Sequence, residues 1–108
     1  MSYNILTIPP FNSQLKRLSK KFPSLKNEFA RLVENLEDKP FQGNPLGNNC
    51  YKIRIGIKSK GKGKSGGARI IAHLQLVKST VYLLTIYDKS EQEDITDKEI
   101  KYLLSFIV

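Results

Sequence analysis

Three runs rich in apolar residues lie between positions 51 and 87, in the segment YKIRIGIKSKGKGKSGGARIIAHLQLVKSTVYLLTIY. In the first run, Tyr51 to Ile57, apolar residues alternate with residues that include Lys52 and Arg54. Successive side chains of a strand point to opposite faces, so this run predicts a strand with one apolar and one cationic face. The second run extends from Arg69 to Val77 and the third from Val81 to Tyr87. The spacing of the runs predicts three consecutive strands joined as a meander.

The sequence on either side of this meander predicts one further strand and three helices. Residues 3–8, YNILTI, predict a strand that ends at two prolines. Apolar residues spaced three and four apart then predict two helices separated by Pro23, and a capping box from Thr96 to Glu99 predicts a last helix. We interpret residues 41–49, rich in Gly, Pro and Asn, as a connection. The predicted order is β-α-α-β-β-β-α.

This order predicts a single α+β domain over residues 1–108. We expect a small antiparallel-rich sheet with an N-terminal helical hairpin on one face and a C-terminal helix. A hydrophobic fraction of 40% and a charged fraction of 26% are typical of a globular domain.

The composition also excludes several classes of protein. There is no run of 18 apolar residues, which a membrane-spanning helix needs, and the first residues do not resemble a secretory signal, so we expect a cytoplasmic protein. One cysteine, Cys50, cannot form an internal disulfide, and a single histidine makes a zinc site improbable. We therefore expect neither a metal nor a cofactor, and we interpret the acidic residues 91–97 as the negative first turn of the last helix.

The distribution of charge points to a polyanionic partner. Eighteen Lys and Arg residues against ten Asp and Glu residues give a net charge of +8. No acidic residue occurs from Lys39 to Tyr87, a stretch with nine cations. A cationic block of this kind is typical of proteins that bind nucleic acid.

The meander predicts a cationic surface on the polar side of the sheet. Lys52 and Arg54 lie about 7 Å apart on one face of their strand. Arg69 opens the next strand beside a glycine loop, so we expect its side chain to be largely exposed. His73 shares the open face with Arg69, and we predict an RNA contact for it. Tyr87 ends the last strand, from which its side chain can reach a site at the same edge of the sheet.

Residues 59–67, SKGKGKSGG, predict a loop without the G-x-x-x-x-G-K-[ST] spacing of a nucleotide-binding P-loop. Glycines raise the entropy cost of ordering such a segment, so we expect it to be mobile. Its lysines suit contact with an RNA backbone rather than base recognition. The predicted RNA-binding lysines are Lys58, Lys60, Lys62 and Lys64.

Residues 51–54 (YKIR), 62–71 (KGKSGGARII) and 83–91 (LLTIYDKSE) together resemble the RelE/ParE superfamily of toxins from bacterial toxin–antitoxin modules. The resemblance is closest to its HigB-like branch, and the order of predicted elements is similar to that of the family over nearly the whole chain. It implies a toxin of a type II module that is held silent by a cognate antitoxin, itself a helix-turn-helix, DNA-binding protein.

The resemblance further implies a ribosome-dependent endoribonuclease that needs no cofactor. In such enzymes the 2′-hydroxyl of the message attacks the adjacent phosphate and leaves a 2′,3′-cyclic phosphate. By position, Lys52 and Arg54 match the basic pair that contacts RNA, Arg69 matches the arginine that stabilises the transition state, and Lys89 matches a basic residue after the last strand. Some relatives carry a tyrosine where this chain has residues 92–95, so the general base stays open.

Two other functions remain open at this point. ParE-like members share the fold but inhibit DNA gyrase without nuclease activity, and a plain RNA-binding module would also explain the cationic block. The basic cluster favours the nuclease.

Overall fold

The computed structural model describes residues 2–61 and 66–107. Its elements follow in the order β1 (Asn4–Thr7), α1 (Pro9–Lys21), α2 (Leu25–Asp38), β2 (Asn44–Gly47), β3 (Cys50–Ile55), a 3-10 turn (Lys58–Lys60), β4 (Ala68–Gln75), β5 (Thr80–Asp88) and α3 (Asp97–Leu104). The predicted α+β class, with a helical hairpin before the meander and a helix after it, is confirmed.

The five strands form one mixed sheet in the order β1-β5-β4-β3-β2. β1 pairs in parallel with β5, and the other neighbours are antiparallel. The interpretation of residues 41–49 as a connection is wrong, because β2 lies within them. Pro45 hides this strand from sequence analysis, yet an edge strand tolerates proline since its outer N–H groups need no partner. Asn48 and Asn49 adopt positive φ angles of 54° and 58°, which turn the chain tightly into β3.

Helices α1 and α2 pack on one face of the sheet, which we call the hairpin face. α1 contacts β5 and α2 contacts β1. Phe11, Leu18 and Leu25 are fully buried there with the inward side chains of the central strands. Within the described residues, no helix is long and apolar enough to cross a membrane.

The predicted capping box of α3 is confirmed: Thr96 Oγ1 accepts a hydrogen bond from the Glu99 backbone N–H at 3.1 Å, and Glu99 reaches back to the Thr96 N–H. α3 contacts β5 and lies across the second face of the sheet, the α3 face. Ile100 and Leu103 bury their side chains, and Ile71 on this face is fully buried. The expectation that this face is open is therefore wrong for the part that α3 covers.

Candidate nucleic-acid interface

Three side chains stand in a row across the α3 face at one end of the sheet. In the strand register, Arg54 on β3 pairs with Arg69 on β4, and Arg69 pairs with Tyr87 on β5. Directly opposed residues of antiparallel strands have Cα atoms about 4.5–5.5 Å apart, and their side chains share one face. Residues that are up to 33 positions apart in the chain are thus brought together by strand pairing alone.

Arg54 and Arg69, the arginine pair, place two like charges directly opposite each other. Such an arrangement is unfavourable in a sheet unless an anion lies between or above the charges. Arg54 is exposed, and within the part of the chain that the structure describes no carboxylate lies within 4 Å of it. The exposed guanidinium of Arg54 can therefore contact an anionic group, and the charge of Arg69 lies beside it.

Arg69 is not exposed as expected: only 3% of its surface is accessible. Sequence analysis predicted exposure because Arg69 begins its strand beside a glycine loop. However, β4 is the central strand of the sheet, so Arg54 and Tyr87 flank Arg69 on its two sides. One guanidinium nitrogen donates to the carbonyl oxygen of Ala68 at 3.1 Å. Arg54 is consequently the accessible member of the pair, and Arg69 supports it from within the sheet.

Two lysines lie near the arginine pair. Lys52 is on the same face as Arg54, and its ammonium forms an ion pair with Asp94 at 3.4 Å. The backbone N–H of Lys89 donates to the carbonyl oxygen of Gly67 at 3.1 Å, which puts Lys89 at the same end of the sheet as Arg69. Its side chain is exposed and has no carboxylate within 4 Å among the described residues.

Tyr87 is buried next to the arginine pair. Burial raises the pKa of its hydroxyl, the charge of Asp94 raises it further, and the charge of Arg69 opposes them. The hydroxyl therefore stays protonated and neutral at physiological pH. Within the described residues it has no hydrogen-bond partner.

The structure does not bring Lys58 and Lys60 to the arginine pair. The Lys60 ammonium binds the buried carboxylate of Asp88, and it also donates to Ser90 Oγ at 3.1 Å and to the Gly66 carbonyl at 3.0 Å. Asp88 follows Tyr87 and points to the hairpin face, where the ammonium also lies 5.6 Å from the centre of the Phe22 ring. Lys60 is therefore held in a buried ion pair, and not in the mobile loop we expected.

Lys58 is exposed, but its backbone N–H donates to Glu28 Oε2 at 2.8 Å, which fastens the start of the loop to α2. Ser59 reinforces this contact through hydrogen bonds with Ser24 at the start of the helix. The predictions for Lys62 and Lys64 lie outside the described residues.

His73 also lies apart from the arginine pair. It is four residues beyond Arg69 on β4, or about 13 Å along the strand. Its Nδ1 lies 3.6 Å from Cys50 Sγ, and burial lowers the pKa of the imidazole while a hydrogen bond that the imidazole donates to the Asn48 backbone opposes the shift. Burial likewise raises the pKa of the Cys50 thiol to about 11, so this pair is a neutral part of the packing.

Sequence analysis missed the role of the acidic residues that follow β5. Glu91 and Asp94 precede α3 rather than forming its first turn, and Glu91 binds Arg17 at 2.9 Å while Asp94 binds Lys52. The sequence feature that could have indicated these ion pairs is the abrupt change from cations to acids after Tyr87. Among residues 2–61 and 66–107, no three His, Cys, Asp or Glu side chains are placed to hold a metal ion.

The comparisons with known proteins agree with this fold. A family model described as the RelE toxin of the RelE/RelB toxin–antitoxin system matches residues 11–106. A variant of the E. coli toxin RelE in the free state superposes with a TM-score of 0.64 at 16% identity, over 100% of both chains. The isolated E. coli RelE toxin gives a TM-score of 0.63 at 11% identity, over 98% of this chain and 100% of that one.

A third similar structure is the toxin–antitoxin complex RelBE2 from Mycobacterium tuberculosis. It has a TM-score of 0.61 at 15% identity, and the match covers 82% of this chain and 99% of that chain. At these identities the solved structures show a shared fold alone.

Proposed function

The chain belongs to the RelE family of toxins of toxin–antitoxin systems, and we propose that it arrests translation by cutting messenger RNA on the ribosome. The arginine pair is the observation that carries this proposal. Two guanidinium groups in direct cross-strand register form a site for one phosphate, because guanidinium forms paired hydrogen bonds with phosphate oxygens. The basic cluster favours a nuclease over an inhibitor of gyrase without nuclease activity.

The proposed reaction is an internal transesterification of the RNA. The 2′-oxygen forms a bond to the neighbouring phosphorus, the bond from phosphorus to the 5′-oxygen breaks, and the products are a 2′,3′-cyclic phosphate and a 5′-hydroxyl. The 2′-hydroxyl loses its proton and the departing 5′-oxygen gains one. The extra negative charge on the phosphorane is the charge that a fixed guanidinium stabilises best.

Each residue of the site has a role in this proposal. Arg54, the accessible guanidinium, contacts the phosphate, and Arg69 adds a second positive charge directly beside it. Lys89 is exposed at the same end of the sheet, where its ammonium can give a proton to the 5′-oxygen. Lys52 contributes charge that Asp94 partly offsets. Tyr87 closes the row on the side of β5 and remains neutral.

The partners follow from the same proposal. The RelBE2 complex is an assembly of a related toxin with its antitoxin, so we propose that a cognate antitoxin holds this chain silent. We propose further that the antitoxin is a helix-turn-helix, DNA-binding protein. Lys62 and Lys64 are assigned to the backbone of ribosomal RNA, since lysines that alternate with glycine suit phosphate contact without base selection.

The test uses purified ribosomes loaded with a defined message. The wild-type chain should cut the message only when the ribosome is present, and the downstream fragment should begin with a 5′-hydroxyl. Arg54→Ala should slow the cut roughly 100–1,000-fold, whereas Arg31→Ala, which removes an exposed arginine from α2, should cut normally. Intact message together with inhibited supercoiling by gyrase would replace this proposal with the ParE-like alternative.

A further inference from the structure

Asp88 is buried at the end of β5, and the proposed reaction does not use it. Its side chain lies on the hairpin face, away from the arginine pair, and has no exposed surface. An aspartate is almost never fully buried unless its charge is paired. The next residue, Lys89, is exposed and is the proton donor of the proposed cleavage. Asp88 is therefore the buried neighbour of the proposed general acid.

The turn that carries Lys89 is built on Asp88. One oxygen of the Asp88 carboxylate, Oδ1, accepts the backbone N–H of Ser90 at 3.0 Å and the Ser90 hydroxyl at 2.8 Å. The Asp88 carbonyl oxygen accepts the N–H groups of Glu91 and Gln92, both at 3.0 Å. Three successive N–H groups after Lys89 thus end on Asp88. Because an aspartate that accepts from the residue two positions ahead fixes a turn, this arrangement sets the backbone conformation of Lys89.

The N–H of Lys89 itself is held from the opposite side of the turn. It donates to the carbonyl oxygen of Gly67, which lies against the end of β3. A Cβ atom on Gly67 would stand 2.1 Å from the Ile55 carbonyl oxygen, so no side chain fits at this position. Ile55 follows Arg54, and the close approach therefore fastens the turn to the end of the strand that carries the accessible guanidinium.

Lys60 neutralises the buried carboxylate on the same oxygen that holds the turn. Its ammonium binds Asp88 Oδ1 and also donates to Ser90 Oγ at 3.1 Å. The other carboxylate oxygen, Oδ2, is buried and accepts no hydrogen bond from the described residues. All the hydrogen bonds described for this carboxylate therefore converge on Oδ1.

We propose that Asp88 is a positioning residue of the proposed cleavage, which holds Lys89 where its ammonium reaches the departing 5′-oxygen. Apolar residues can often replace a buried ion pair without loss of stability, so stability alone does not explain the pair. The turn does need the oxygen, and proton transfer needs a donor within hydrogen-bond reach of the leaving group. This inference rests on the proposed function and names the residue that orients its general acid.

The experiment compares two double variants that both remove the ion pair. Asp88→Leu with Lys60→Met replaces it by apolar side chains of similar size and removes the oxygen that holds the turn. Asp88→Asn with Lys60→Met is equally uncharged but keeps an oxygen that can accept the Ser90 N–H. In single-turnover cleavage on ribosomes, the first variant should cut on the order of 100-fold more slowly than the wild type, as misplaced catalytic groups do. The second should recover most of that loss, and equal rates would overturn the inference.

A modified message tests whether the lost rate comes from proton donation. With sulfur in place of the 5′-oxygen at the scissile bond, the leaving group departs as a thiolate and needs no proton, because a thiol is much more acidic than an alcohol. Asp88→Leu with Lys60→Met should cut this message nearly as fast as the wild type does, and so should Lys89→Ala. A loss of rate that persists in the Asp88→Leu double variant would show that Asp88 does not act through the proton donor, and it would overturn the inference.

Two further variants control for folding. Ser90→Ala removes only an exposed hydroxyl that donates to Asp88, so the chain should fold and the cut should slow by about two- to tenfold, the equivalent of one hydrogen bond. Leu36→Ala truncates a fully buried side chain of α2 and should lower stability without slowing the cut by the folded chain. If the Asp88→Leu double variant does not fold, an unchanged rate of Ser90→Ala overturns the inference.

These outcomes distinguish the inference from the proposed function. If the wild-type chain cuts no message, the nuclease proposal fails and the role of Asp88 fails with it. If the wild-type chain cuts and the two double variants cut at equal rates, the nuclease proposal stands and only the positioning role is overturned.

Discussion

Arg54 and Arg69 belong to the proposed phosphate site, yet substitutions at the two positions should have different consequences. Arg54 is exposed, so Arg54→Ala should change the free energy of unfolding by less than about 0.5 kcal/mol. The cleavage rate should fall roughly 100–1,000-fold, the loss typical when one stabiliser of transition-state charge is removed. Arg69→Ala should lower both the free energy of unfolding and the cleavage rate, because it leaves a cavity in place of a buried side chain on the central strand.

Urea unfolding and single-turnover cleavage on ribosomes measure the two effects separately. Arg69→Lys keeps the charge and much of the volume but loses the paired geometry of the guanidinium, so it should fold and cut slowly. An Arg54→Ala chain that is folded and fully active would remove Arg54 from the site.

Lys60 provides a second prediction, because its ammonium is held in an ion pair with Asp88. Its side chain is 13% exposed and Asp88 is fully buried. Lys60→Ala leaves the carboxylate buried without its cation, so the free energy of unfolding should fall by about 3–5 kcal/mol. Lys58→Ala is the matched control, since this exposed lysine should change stability by less than about 0.5 kcal/mol. Equal stability of the two variants, measured by urea unfolding, would contradict the ion pair.

The same ion pair predicts how stability depends on pH. Burial opposes ionisation of Asp88, but hydrogen bonds from Lys60 and Ser90 outweigh it and lower the pKa of the carboxyl from its ordinary 3.8. A carboxyl with a lowered pKa stabilises the fold above the unfolded-state pKa, and this stabilisation is lost as the pH falls through the folded-state pKa. The urea midpoint should therefore decline below about pH 4. In Lys60→Ala the decline should be smaller, because loss of the cation moves the folded-state pKa of Asp88 back toward the unfolded-state value, and an identical profile would exclude the pair as its cause.

At the scale of elements, local patterns predicted most of the fold. The alternation in residues 51–57 located β3, and the capping box located the start of α3, because both signals are contained within a few residues. β2 was missed because its stability comes from pairing with β3, whereas its own composition is that of a turn. The parallel pairing of β1 with β5 was likewise not predictable from local sequence, because it arises only when the sheet assembles.

The candidate site was only partly predictable for the same reason. Lys52, Arg54 and Arg69 could be selected from sequence, since alternation assigns each of them to a face. The burial of Arg69 follows from its position on the central strand, and the capture of Lys60 depends on Asp88, 28 residues away. Long-range partners of this kind leave no local pattern.

The glycine-rich loop gives a prediction at this scale. Lys62 and Lys64 remain as the loop's assigned contacts with ribosomal RNA, since Lys60 is held by Asp88. Replacing both with Ala should weaken ribosome binding and reduce the slope of log affinity against log salt by about 0.7 for each phosphate that is no longer neutralised. Cleavage by the bound complex should be nearly unchanged.

A matched variant tests whether charge alone explains that result. Lys16→Ala with Lys20→Ala removes the same charge from exposed positions of α1. It should leave the salt slope of pelleting with ribosomes closer to the wild-type value. If the loop variant instead binds normally and cuts poorly, the loop belongs to the cleavage site.

At the scale of the whole molecule, the acids after β5 organise the cationic surface. Ion pairs connect the segment after β5 to α1 through Glu91 and to β3 through Asp94. A third ion pair, made by Asp88, connects the 3-10 turn to β5. These ion pairs offset the charges of Arg17, Lys52 and Lys60. Arg54 and Lys89, in contrast, have no carboxylate within 4 Å in the described ranges. Arg54 and Lys89 thus leave two exposed cations beside the proposed cleavage site.

Primer extension on cellular messages, after the chain is expressed without an antitoxin, tests the nuclease proposal most directly. We predict new 5′ ends inside translated reading frames within the period of growth arrest, the same ends with Arg31→Ala, and none with Arg54→Ala. Growth arrest without new ends, or identical ends with Arg54→Ala, would contradict the assignment of mRNA cleavage to the arginine pair.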